Sequence, residues 1–314
     1  VYQIHLPDVM ERAEAAFVGY AVGDALGATT EFMTPGEIQS QYGVLEDIRG
    51  GGWLHLPVGA VTDDTEMSLC VARSLVENGF VLRDIAERFA GWLKTRPRDI
   101  GGTCRRGIRR YMIDGTLEGA MSDADGGNGA AMRMTPIALA TLGEPADLYS
   151  WGIGQAHLTH HHPLSDAACI LVGQLIQMAL VGHGKDRLAS LADSCVEAHP
   201  TFAFKRHDGY SSAYVVDTMR TVLQAFFTTK SFEECLVMAV NRGGDADTVG
   251  AIVGGIAGAY YGPSAIPKRW RRALDAHVER ETTLLGRELV RSSPIARRGS
   301  DWFVAREFLR MPRR

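Results

Sequence analysis

Apolar residues recur at intervals of three and four over residues 9–22, 66–78, 82–94, 164–181, 185–199, 213–227, 231–241, 248–261 and 268–290. That spacing lines one face of a helix and predicts α-helices throughout. Strict alternation of apolar and polar residues, the mark of a half-buried strand, is nearly absent. The connections are rich in glycine, proline and asparagine, as in "TPGE", "RGGGWLHLPVG", "SDADGGNG" and "HHHPLSD". No long linker or composition break divides the chain. The expectation is an all-α fold, a single compact multi-helix domain over residues 1–290. An arginine-rich C-terminal tail follows over 291–314, with seven arginines against Asp301 and Glu307.

Two predicted helices carry glycines spaced by four: Gly19, Gly23 and Gly27, and Gly250, Gly254 and Gly258. Each set draws a ridge without side chains along one helix face. Glycine costs about 1 kcal/mol relative to alanine inside a helix, so the spacing implies close backbone packing, with the two ridges as candidate partners.

The remaining composition narrows the function. With a net charge of −4, no broad basic surface argues for nucleic acid. Cys70, Cys104, Cys169, Cys195 and Cys235 show no paired spacing and read as reduced thiols of a cytoplasmic protein. No signal-peptide layout opens the sequence, and the apolar run over 248–262 is short for a membrane span.

Two helix starts concentrate acid. "VTDDTEMSLCVARSL" places Thr62, Asp63, Asp64 and Thr65 before one helix, and "GGDADTVGAIVGG" places Asp245, Asp247 and Thr248 before another. Helix capping accounts for one aspartate or threonine at each start. It does not account for crowded carboxylates, which repel one another unless a cation lies among them. An all-oxygen donor set suits Mg²⁺, Mn²⁺ or Ca²⁺ rather than zinc. An EF-hand loop from Asp245 fails at Val249 and Ile256, and one from Asp123 fails at Met134. The sequence contains no phosphate-binding G-x-x-x-x-G-K-[ST] and no H-E-x-x-H. The histidines at 157, 160, 161 and 162 lack a familiar zinc spacing.

Taken together, "GDALGATTEF", "TDDTEMSL", "GNGAAMR", "LTHHHPLSDAA" and "GGDADT" resemble the ADP-ribosylglycohydrolase family, in the family's order, from about residue 9 to 289. "GGGWLHLPVG", "RPRDIGGTCRRGIRRYM" and "SSAYVVDTMRTVL" resemble the subgroup that reactivates the nitrogenase iron protein in nitrogen-fixing bacteria. The resemblance implies an all-helical fold of the ADP-ribosylglycohydrolase type holding two Mn²⁺ or Mg²⁺ ions. Their ligands would be Thr62, Asp63 and Asp64, with Asp245, Asp247 and Thr248. It implies hydrolysis of the bond between ADP-ribose and an arginine side chain of the nitrogenase iron protein. Asp63 and Asp247 would act at the metals, and Glu31 and Asp99 would move protons from outside the two clusters, in an order left open.

The same resemblance places ADP-ribose against Gly127, Asn128 and Gly129, with His160, His162 and Tyr214 nearby. Core packing is the alternative for Tyr214, a helix cap for Asp99, a solvated loop position for Glu31, and a structural tie to the acidic site for Arg133. The arginines at 96, 98, 105, 106, 109 and 110 suit either a solvated face or an acidic partner surface. A monomer without a membrane span, regulated by a PII signalling protein at the membrane, completes what the resemblance implies. Alternatives are a hydrolase of another ADP-ribosylated substrate, or a catalytically silent ADP-ribose-binding regulator.

Overall fold

The computed structural model describes residues 3–207, 209–298 and 302–304. Its helices run in chain order as α1 (Leu6–Gly27), α2 (Pro35–Tyr42), α3 (Asp63–Asn78), α4 (Leu82–Lys94) and α5 (Gly102–Asp114). Then follow α6 (Met134–Ala140), α7 (Pro145–His157), α8 (Pro163–Leu180), α9 (Lys185–Ala198) and α10 (Val215–Thr228). The last are α11 (Phe232–Val240), α12 (Ala246–Tyr261), α13 (Lys268–Ala273), α14 (Ala276–Arg291) and α15 (Pro294–Arg297). Two short strands, β1 (Gln3–His5) and β2 (Trp302–Val304), pair antiparallel with Ile4 opposite Phe303.

The centre is the antiparallel pair of α1 and α12. Every residue from Ala13 to Gly27 is buried, as is every residue from Ala246 to Ala259. The two glycine ridges face each other. A Cβ built at Gly19 would sit 2.7 Å from the Gly254 carbonyl oxygen, and one at Gly23 would sit closer still to that of Gly250. The axes approach because nothing projects between them. Around this pair, α8, α10 and α11 pack on α12, α14 packs on α1, and α3 packs against α4 and α6. Glu14 is buried on α1 and is held by Arg271 and Arg287, at 3.3 and 2.7 Å, which ties α13 and α14 to the core.

The helices that the apolar pattern did not mark are α2, α5, α6, α7 and the short α15. In α5 only Cys104, Gly107 and Ile108 are buried, among arginines that blur the period. α6 is buried at every position and so has no polar face to define one. The segment read as one helix over 268–290 is two. The break comes at Asp275, whose carboxylate accepts from the N–H groups of His277 and Val278 and restarts the chain as α14. α14 runs through Arg291, and Ile295 beyond it is fully buried, its N–H bonded to the Leu142 carbonyl. Most of the arginine-rich tail lies outside the described residues. Among the described helices, α8 is the one long and apolar enough to cross a membrane; here it packs on α6, α7 and α12.

Candidate active site

The starts of α3 and α12 meet at one cleft of about 350 Å³. The loop after α1 brings Glu31 to it, and the turn before α5 brings Asp99. The approach to α12 depends on Gly243 and Gly244, at φ 67° and 71°. That left-handed backbone favours glycine, and a Cβ on either would overlap the carbonyl oxygen of Met33 or Ser211. The turn is thereby laid against the Glu31 loop. Phe32 donates its N–H to the Gly244 oxygen at 2.6 Å, and Gly244 returns one to Met33 at 3.0 Å.

The structure separates capping from site formation. Neither Thr62 nor Asp245 caps its own helix with its side chain. The start of α3 is capped instead from α1. Asp24, fully buried, accepts from the N–H groups of Thr62 and Thr65 at 3.1 Å and from their hydroxyls at 3.0 and 2.5 Å. This arrangement leaves Asp63 and Asp64 free to face the cleft. Asp63 accepts one backbone N–H, from Gly101 at 3.2 Å, and lines the cleft beside Asp99. One oxygen of Asp64 accepts from the Thr248 hydroxyl at 3.0 Å; the other, Oδ1, is buried with no partner among the described residues. Asp245 accepts from the Asn128 amide, which Thr218 also holds at 2.9 Å.

Two groups of carboxylates each converge closely enough to hold a cation. Asp63, Asp64 and Asp247 form one; Glu31, Asp245 and Asp247 form the other, with oxygens within 4.8 Å of one another in each. Asp247 belongs to both, so the groups are contiguous. Glu31, expected outside the clusters, is inside the second. An orphaned buried oxygen on Asp64 and an all-oxygen donor set fit a hard divalent cation. Without one the cluster is strained. Burial pushes the carboxyls of Asp63, Asp64 and Asp247 well above the usual range, and their neighbours' charges add to it. Burial, and then Asp99, raises Glu31 to about 9. Burial raises Asp24 to about 7 against its four donors.

A pH dependence follows. The folded chain holds protons on these carboxyls that the unfolded chain has released above about pH 4. The contribution of these carboxyls to the stability of the metal-free protein is therefore greatest at low pH. It is expected to fall as pH rises from about 4 through about 7 for Asp24 and about 9 for Glu31. Calorimetry in EDTA should show Tm declining between pH 5 and 8. Mn²⁺ should restore it at pH 8 by binding the folded state alone. A Tm in EDTA that rises over this range would contradict the cluster's electrostatics.

The opposite wall of the cleft is uncharged. Gly127, Asn128 and Gly129 pair with the segment entering α10 through the Asn128 N–H to Ala213 and the Val215 N–H to Gly126. Asn128 thus acts on Asp245 with its side chain, and its own N–H is taken. His160 is buried beneath Gly127 and Gly129, where a Cβ would lie 3.0 and 2.7 Å from its ring. Burial, then Arg133 and Arg106, holds its pKa well below the usual value, so the ring is neutral. Its tautomer can be deduced. Arg133, a donor only, bonds Thr159 Oγ1 at 2.9 Å, which leaves the Thr159 hydroxyl to donate to His160 Nδ1 at 2.8 Å. The proton on the ring is then at Nε2, the atom beneath Gly127.

Arg133 does not bond the acids; it binds Gln155 and Thr159 and sets His160. Tyr214 is 44% exposed at the start of α10, beside Gly126, and is not core. His162 lies apart from the cleft lining; it caps α8, its Nδ1 accepting from Leu164 at 3.1 Å. His157 and His161 stack 3.7 Å apart beside Glu118, away from the cleft.

Two residues at the site carried little signal in the sequence. Asp24, in "GDALGATTEF", is the one acid in the C-terminal half of a helix that is otherwise apolar there. Trp53 donates from Nε1 to Glu31 at 2.6 Å and packs against Phe32, whose φ of 61° turns the loop over the cleft.

This geometry has known counterparts. The chain is 55% identical over 276 residues to the ADP-ribosyl-[dinitrogen reductase] glycohydrolase of Rhodospirillum rubrum, covering 88% of this chain and 94% of that one. It is 31% identical over 288 residues to the ADP-ribosylarginine hydrolase Tri1 of Serratia proteamaculans (strain 568), covering 87% and 76%. A solved structure described as an ADP-ribosylglycohydrolase-related protein complex superposes with a TM-score of 0.82 at 37% identity, over 91% of this chain and 99% of that one. The sequence profile of the ADP-ribosylglycohydrolase family spans residues 5–298, across every element that builds the cleft, and the chain belongs to that family of hydrolases.

Proposed function

We propose that this protein hydrolyses the N-glycosidic bond between ADP-ribose and an arginine of the nitrogenase iron protein, reactivating it in nitrogen fixation. The observation that carries the reading is the pair of carboxylate groups sharing Asp247 in a cleft whose other wall is neutral. Support for the substrate comes from the relatives named for dinitrogen reductase and for ADP-ribosylarginine. Two Mn²⁺ or Mg²⁺ ions held by Thr62, Asp63, Asp64, Asp245, Asp247 and Thr248, with Glu31 beside the second group, would supply Lewis acidity and grip the ribose hydroxyls.

The residues then divide the work. Gly127 and Gly129, with the Nε2–H of His160, offer hydrogen bonds to the pyrophosphate. Tyr214, exposed beside Gly126, offers a ring to the adenine or ribose. Asp99 shares a proton with Asp63 and delivers it to the departing guanidine nitrogen as the bond to ribose C1 breaks. Glu31, oriented by Trp53 and ionised once cations neutralise the neighbouring carboxylates, takes a proton from the water whose oxygen bonds to C1. The products are ADP-ribose and an arginine guanidinium, and proton exchange with solvent resets both acids. The reading includes a cytoplasmic monomer, consistent with five free thiols, and a PII signalling protein as its regulator at the membrane.

The test is release of ADP-ribose from arginine-modified iron protein with Mn²⁺, alongside serine-linked ADP-ribose. Asp99→Asn is expected to lower kcat by about 10²–10⁴ while ADP-ribose still binds. Full activity in this variant would remove Asp99 from the proton transfer. Release from serine alone would overturn the substrate.

A further inference from the structure

A second cavity, of about 400 Å³, adjoins the catalytic cleft and shares two of its walls, Asp63 and Asp99. Its lining includes neither Gly127 nor His160. From this arrangement we infer that the second cavity is the leaving-group subsite, which receives the modified arginine side chain and its flanking chain, with Glu66 holding the guanidinium. The inference rests on the reaction proposed above and deepens it. The scissile bond lies where the two cavities meet. Nucleotide on one side then requires arginine on the other.

Charge decides which group goes where. The cavity's lining carries Asp63, Glu66, Asp99 and Asp275 against Arg96 and Arg98, an excess of acid that disfavours a pyrophosphate and suits a cation. Asp275 is already used in capping α14. Glu66 is held in place but not neutralised. Trp92 donates from Nε1 to its Oε2 at 2.6 Å, and among the described residues no cation lies within ion-pair distance of it. Its other oxygen is free to accept a guanidinium N–H. One helical turn separates Glu66 from Asp63 on α3, so a guanidinium between Glu66 and Asp99 lies next to the acid that protonates it. Leu56, Pro97 and Val278 offer apolar surface to the arginine methylenes. Arg96 and Arg98, exposed at the rim, suit acidic residues flanking the modified arginine. Glu66 is thus a specificity residue for the leaving group and takes no part in nucleotide binding.

The experiment measures two quantities on the full chain with Mn²⁺: Kd for ADP-ribose by calorimetry, and KM for an arginine-ADP-ribosylated peptide. Glu66→Gln is expected to raise KM about tenfold or more, the loss of one charge-assisted hydrogen bond, with Kd within twofold of the parent. Trp92→Phe, which removes the N–H but keeps a ring, should raise KM less and also spare Kd. Retained ADP-ribose binding certifies folding of each variant. An unchanged KM in Glu66→Gln would overturn the subsite, as would a Kd that weakens in parallel with KM. A parent protein that binds ADP-ribose but leaves the arginine linkage intact would instead overturn the proposed reaction, and the subsite with it.

Discussion

Asp247→Asn is expected to reduce turnover of the arginine-linked substrate roughly a thousandfold or more, the equivalent of several kcal/mol of transition-state stabilisation. No other carboxylate is shared by both groups at the cleft, Asp63–Asp64 and Glu31–Asp245. Removing its charge weakens cation binding on both sides at once. The asparagine keeps the shape, and its oxygen can still accept the Thr248 N–H that Asp247 Oδ1 accepts at 2.8 Å, so the start of α12 should stay formed. Asp245→Asn touches one group and should cost less. Manganese titration and single-turnover release measured on both variants separate the two. An Asp247→Asn protein with the parent's manganese stoichiometry and rate would refute the assignment of Asp247 as the shared ligand.

The largest structural effect is expected at Gly23. A methyl group there would overlap the Gly250 carbonyl, which is helix backbone and has no rotamer to escape into. The helices must separate along their whole contact, and Gly27 and Gly254 meet the facing backbone in the same way. Overpacking a core usually costs about 1–3 kcal/mol, and here flexible side chains are not available to absorb it. The helix-propensity gain of alanine, about 1 kcal/mol, does not offset that. Gly23→Ala should lower Tm by roughly 6 °C or more, or prevent soluble expression. Gly91→Ala is the control. Gly91 lies exposed on α4 with nothing within 4 Å of a built Cβ, so alanine should stabilise by up to about 1 kcal/mol. Equal melting temperatures for Gly23→Ala and the parent would mean that α1 and α12 are not in backbone contact.

What the sequence determined by itself is what short-range spacing can carry. Apolar residues three and four apart specify which side of a helix faces inward, so most helices were legible. Among those missed, α6 is wholly buried, α5 is masked by arginine, and α2 buries Ile38 alone, too little to define a period. The glycine ridges were legible for the same reason, and their facing one another needed only two helices of matched spacing. The acids at two helix starts were visible too, but their role was ambiguous, because a cap and a ligand call for the same residue types at the same place. Tertiary structure resolved that ambiguity. Asp24 approaches from α1 and takes the donors at the start of α3, leaving Asp63 and Asp64 to the cleft. Asp64 and Thr248 meet although 184 positions separate them, and Glu31 joins Asp245 and Asp247 because two left-handed glycines fold one loop against another. Such convergence is set by how helices pack. Local periodicity does not record it, because the energy of each contact belongs to residues far apart in the chain.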